Sequence, residues 1–165
     1  MKTKTLVGSL LVLVLIVVGY FLIPKLFKSS EPVENSIAVL PFRNDSPSDT
    51  SAFIINGIME EILNDLAKIE DIKVLSRSSV EPYRSTTKSI AEIAKELGVI
   101  YILEGSGQKY GNNIRLNVQL VDAKINNPLW SESYELGIGN ANDIYSTQTE
   151  ISQTIANKIE TQIPQ

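Results

Sequence analysis

The chain has 165 residues, with 15 Lys and Arg, 19 Asp and Glu, no Cys and no His. That length suits one domain of about 100–150 residues, and a hydrophobic fraction of 43% excludes wholesale disorder. Without His or Cys there is no Ser-His or Cys-His nucleophile pair, no thiol redox chemistry, no disulfide, no ordinary zinc site and no His-based pH switch, which leaves carboxylate chemistry, a Ser-Lys pair, oxygen-ligand metals or no chemistry.

The charge is unevenly placed. Lys2, Lys4, Lys25 and Lys28 are the only charges in the first 30 residues, so the remainder holds 11 basic and 19 acidic residues, a net of −8. Phosphate contacts need Lys and Arg, so a nucleic-acid partner is not expected. Leu6–Ile23 is an 18-residue uncharged run, broken only by Gly8, Ser9 and Gly19. As a helix it spans roughly 27 Å, close to the hydrocarbon core of a bilayer. Lys25 and Lys28 suit snorkelling at one end, beside Tyr20 and Phe21. A cleaved signal peptide is the rival reading. The run is long for one, no small-residue cleavage site follows it, and there is no Cys for a lipid anchor. The expectation is an uncleaved signal-anchor at residues 1–28, a polar linker at 29–35 and a folded domain at 36–165. Lys2 and Lys4 nearly balance Lys25 and Lys28, so the inside position of the amino terminus rests on its shortness.

Ser36–Phe42 is apolar on both faces, as in a buried strand. Arg43–Thr50 is turn-rich. Ser51–Ile69 reads as a helix with Ile54, Ile58, Ile62 and Leu66 in one row, and Gly57 inside it implies close packing on a sheet. Ile72–Ser76 is a second short strand, and Ser78 with Glu81 resembles a capping box for a single turn. Ser89 with Glu92 is a fuller capping box, followed by Ile90, Ile93, Ala94 and Leu97 at helical spacing and Gly98 as a cap. Strands are expected at 99–109, 113–122 and 129–136. Gly111-Asn112-Asn113 makes the first two antiparallel neighbours. A last helix at 142–163 carries Ile144, Ile151, Ile155 and Ile159 on one face. The order β-α-β-α-β-β-β-α predicts an α/β domain on one mixed sheet with antiparallel strands at its end.

Several strings occur together: SIAVLPFRNDS, NGIMEEILNDLAKIEDIKVLSRSSVEPYR, IAEIAKELGVIYILEGS, IRLNVQLVDAK, LWSESYE and DIYSTQTEISQTIA. Over Ser36–Ala156 the chain resembles the TolB amino-terminal-like domain of bacterial membrane proteins. That family often follows a transmembrane helix and precedes tetratricopeptide repeats. Some members carry a cytoplasmic adenylate cyclase or helix-turn-helix domain first, and this chain shows neither. The resemblance implies an exported α/β module for protein–protein contact, with no catalytic residue set and no cofactor. It also implies a bacterial inner-membrane location with the domain in the periplasm, and an envelope partner such as a tetratricopeptide-repeat protein. A small-molecule sensor outside the cytoplasm is the alternative. The family usually has another residue, often Val, at Gly107, so a bulge is expected after Ser106.

Candidate chemistry is sparse. Gly105-Ser106-Gly107 lacks the following helix and Lys of a phosphate-binding loop, and a strand bulge or bend is the plainer reading. Glu104 interrupts an apolar strand. It suits a structural ion pair with Arg77 or Arg115 better than a general base, since no second carboxylate can be placed beside it. Asp45 and Asp49 offer oxygens for calcium, but their spacing is not that of an EF-hand and helix capping is the default. Arg43, Asn44, Arg77 and Ser78 would share the carboxyl edge of the sheet if the first two strands are parallel, and form the one ligand-site candidate. Trp130 and Tyr134 share a face of the last strand, as a partner surface or, more simply, as core under the last helix.

Overall fold

The computed structural model describes residues 32–46 and 49–163. The expected membrane segment, Leu6–Ile23, lies outside them. Among the described residues no helix is long and apolar enough to cross a membrane.

In chain order the elements are β1 (Ser36–Val39), β2 (Arg43–Asn44), α1 (Asp49–Leu66), β3 (Lys73–Val74), α2 (Arg77–Val80) running into a 3-10 turn (Glu81–Tyr83), α3 (Ile90–Leu97), β4 (Tyr101–Tyr110), β5 (Asn113–Asp122), β6 (Asn127–Gly137) and α4 (Ala141–Gln162). The sheet runs β3-β1-β4-β5-β6, and β2 continues alongside β4 beyond the end of β1. β1 is parallel to β3 and to β4, whereas β4-β5-β6 is an antiparallel meander. The expected mixed sheet is therefore present, with one extra two-residue strand and a shorter β3.

Both faces of the parallel half are covered. Ile37, Val39 and Leu103 pack with Ile54, Ile58, Ile62 and Leu66 of α1 and with Ile151, Ile155 and Ile159 of α4. Ala38, Leu40 and Ile102 turn to the opposite face and meet Val80 and the α3 residues Ile93 and Ala94. Successive strand residues point to opposite faces, which is why β1 is apolar throughout. The α1 row is at most 2% exposed, and each such side chain contributes roughly 1.5–3 kcal/mol of transfer free energy.

Local chemistry sets the ends of α3. Ser89 Oγ accepts from the Glu92 amide while Glu92 accepts from the Ser89 amide, and Gly98 closes the helix at φ 68°. α2 differs from expectation. Ser76, not Ser78, precedes it, and Glu81 binds Arg84 at 2.5 Å instead of reaching back to cap.

The glycines also differ from expectation. β4 pairs with β5 without interruption through Gly105↔Val118 and Gly107↔Leu116, so no bulge forms there. The irregularity lies between Leu120 and Val121. The reason for glycine is space. A Cβ at Gly105 would lie 2.9 Å from the Phe42 ring, and one at Gly107 would run into Ile55 Cδ1. Gly57 admits a side chain of α4 and not the sheet. A Cβ there would meet Gln148 Nε2 at 2.8 Å, and that amide donates to the Ile54 carbonyl at 3.0 Å.

Candidate functional site

Two polar regions share the Arg43 end of β4. The first is the expected carboxyl edge. Because β1 and β3 are parallel, the segments that follow them leave the same edge of the sheet. A cleft of about 190 Å³ opens there, lined by Arg43, Asn44, Asn56 and Arg84 over Phe42, Ala52 and Ile55. Arg43 donates to Asp45 at 2.6 Å, and the guanidinium holds the Asp45 carboxyl below its ordinary range. Asn44 Oδ1 accepts from the Ser46 amide and from Ser51 Oγ, which ties the loop to α1. Arg84 reaches Asn56 Oδ1 at 3.3 Å and pairs with Glu81, whose carboxyl it pulls down.

Only half of the expected quartet meets in this cleft. Arg77 pairs with Glu60 of α1 and lies 3.5 Å from Glu81. Ser78 sits in a hydroxyl cluster, 3.0 Å from Ser76. Arg84 was missed by sequence reading. Its signal was the i, i+3 spacing from Glu81, which marks a paired surface and not a cleft.

The second region is the outer face of the meander. Helices α2 and α3 cover the parallel half on that side, and the polar rows of β4, β5 and β6 stand beyond the cluster they form. Glu104, Gln119 and Ser131 make one cross-strand row, and Ser106, Asn117 and Ser133 make the next. Arg43, Glu104, Ser106, Asn117, Gln119 and Ser131 line a shallow groove of about 190 Å³. Gln119 Nε2 donates to Glu104 Oε1 at 3.4 Å, and Ser133 Oγ donates to Asn117 Oδ1 at 2.7 Å. The alternation in β5 that separates Arg115, Asn117 and Gln119 from the apolar set was the sequence signal for this face.

The expected ion pair of Glu104 with Arg77 or Arg115 does not form. Glu104 is half-buried and faces the groove, so its charge keeps solvent and an amide neighbour. Arg77 is held by Glu60, and Arg115 pairs across the strands with Glu135 at 3.0 Å. Arg115 stands directly opposite Glu135 on β6, whereas on β4 it stands opposite Gln108, four residues along the strand from Glu104.

Trp130 and Tyr134 lie on the other face and pack against the main core, with ring centroids 6.5 Å apart. Lys158 of α4 sits 5.4 Å above the Trp130 ring and pairs with Glu132. Tyr134 Oη donates to Glu132 at 3.0 Å, and burial, then Glu132, raises the Tyr134 hydroxyl above its ordinary range. Among the described residues no group of three or more acidic side chains is placed to hold a metal ion. The calcium reading of Asp45 meets a carboxylate already engaged by Arg43.

A family model described as the HilA/YgeH-like transcriptional regulator, second domain, matches residues 33–154. A curated protein of Rhizobium meliloti (strain 1021), named "Putative adenylate cyclase 3", is 39% identical over 128 residues, which is 78% of this chain. The chain spans 21% of that relative's length. Among solved structures, lipoprotein GNA1162 from Neisseria meningitidis aligns with TM-score 0.55 at 21% identity, covering 76% of this chain and 96% of its own. TolB from Acinetobacter baumannii aligns with TM-score 0.53 at 18% identity, covering 84% of this chain and 31% of its own. The two structures share the fold. The architecture is thus TolB-like, while the matching family model carries a different description from the TolB amino-terminal-like domain.

Proposed function

The chain belongs to the family of HilA/YgeH-like transcriptional regulator second domains, and from that membership we propose that it is a non-enzymatic protein–protein interaction module. In this reading Leu6–Ile23 anchors it in the bacterial inner membrane and the domain from residue 36 on stands in the periplasm. The relatives support an accessory role: the family is a second domain of a regulator, and the match to the cyclase-named protein occupies only a fifth of it. Any cyclase chemistry in that relative then belongs to its other parts.

The observation that carries the reading is the open face of β4-β5-β6. Its groove presents hydroxyl, amide and carboxylate groups on rigid strands, a pattern suited to a polar protein surface. The partner class we propose is an envelope protein, with tetratricopeptide-repeat proteins as the first candidates. A photo-crosslinking residue at Gln119, in full-length chain in intact cells, tests this. The expected outcome is one discrete adduct with an envelope protein, absent when the probe stands at exposed Glu150 of α4. No adduct from Ser106, Asn117, Gln119 or Ser131 would refute the reading.

The cleft with Arg43, Asn44, Asn56 and Arg84 favours a second reading, a sensor of small anionic metabolites. A thermal shift with such a metabolite, lost in Arg84→Gln, would move the assignment there.

A further inference from the structure

β6 is the long outer edge of the sheet, with 11 residues, whereas the opposite edge, β3, has two. The register shows which groups the edge offers. Ile138 donates to the Asn112 carbonyl at 2.7 Å, and the ladder continues this pairing through Leu136↔Ile114, Tyr134↔Leu116 and Glu132↔Val118. Even-numbered residues of β6 therefore bond to β5. Ser131, Ser133 and Glu135 turn their N–H and C=O outward.

Soluble sheets usually blunt such an edge with proline, a bulge or charged side chains, inward-pointing ones included. Here Pro128 and the irregularity at Leu120/Val121 stand at the beginning of the strand. The two edge charges are neutralised from within, Glu132 by Lys158 and Glu135 by Arg115. The outward residues are two serines and one paired glutamate, so nothing bulky blocks approach.

We infer that β6 pairs antiparallel with β6 of a second copy of this chain, about a two-fold axis at Ser133. This register sets Ser133 against Ser133 of the second copy and Ser131 against its Glu135. Glu132 falls opposite Tyr134 of the second copy, the same hydroxyl–carboxylate pairing each chain already makes internally. A shift of the axis to residue 132 would set Glu132 against itself, a like-charge pair. The pairing forms about six backbone hydrogen bonds. It closes at two copies, because β3 is too short to extend the sheet further. It also joins the two open polar faces into one surface. Each copy carries a net −8 beyond residue 30, so added salt tightens the dimer.

The chain has no cysteine, so single cysteines report the register directly. In full-length protein in detergent micelles, Ser133→Cys should oxidise to a disulfide-linked dimer. Ser131→Cys alone should not, while a mixture of Ser131→Cys and Glu135→Cys chains should. Ser133→Pro removes only an outward donor and keeps the β5 ladder. It should raise the dimer dissociation constant about 30-fold or more, since both strands lose the donor, with the melting temperature of the monomer retained. A dimer that survives Ser133→Pro with no Ser133→Cys cross-link, or a chain that is monomeric throughout, overturns the inference. A Ser133→Cys adduct with a different protein and no self-linked dimer overturns it too, and assigns the edge to that protein.

Discussion

Gly107 is the sharpest test of the packing argument. A methyl group there would collide with Ile55 Cδ1 and Cγ1, and Ile55 is 1% exposed in the main core. The side chain must leave its rotamer in a full core, an overpacking cost of about 1–3 kcal/mol. Replacing glycine in a strand returns about 0.5–1 kcal/mol of backbone entropy. Gly107→Ala should therefore destabilise by about 0.5–2 kcal/mol, a fall in Tm of roughly 2–8 °C for a domain of this size. Ile55→Ala alone should cost about 2–5 kcal/mol. The double variant should be no less stable than Ile55→Ala, because the new methyl enters the space the isoleucine leaves. Urea unfolding followed by the fluorescence of Trp130, the only tryptophan, measures all four corners of the cycle. Strict additivity, or a Gly107→Ala protein as stable as the parent, would refute the claim that glycine is required by Ile55.

Glu104→Gln should change stability by less than about 0.5 kcal/mol, because the group is half-exposed and holds no ion pair; a loss of 2 kcal/mol in urea unfolding would restore a structural role. Ser89→Ala should cost about 1 kcal/mol in the same assay, since the capping box loses its acceptor. Asp45, Glu81, Glu132 and Glu135 are all held below their ordinary range by basic partners. Depressed carboxylates stabilise the fold above their unfolded values, near pH 4, and lose that contribution as the pH falls. Tm should thus drop on acidification from about pH 5 to 3 and stay flat between about pH 6 and 8, where no histidine titrates; a step in the neutral range would contradict this. Amino-terminal sequencing of the mature protein should find it uncleaved, and a start near Ser29 would show that Leu6–Ile23 is a signal peptide.

The order of the longer elements was legible in the sequence because each depends on short-range periodicity, whereas the two-residue β2 in the Arg43–Thr50 turn region was not. The Ile54–Leu66 row, the Ser89–Glu92 box with Gly98 and the alternation of β5 each speak within one or two turns of chain. What the sequence could not decide was which charges meet. Arg115 takes Glu135, 20 residues away, because the β5–β6 register sets them opposite each other. Arg84 reaches Asn56 across 28 residues because α1 and the 3-10 turn leave one edge of the sheet. Nor could it explain Gly105 and Gly107, which suggest a bulge locally and are required by Phe42 and Ile55 from above. Periodicity is a property of neighbours along the chain, whereas ion pairs and steric room are properties of neighbours in space, and only the sheet order created those.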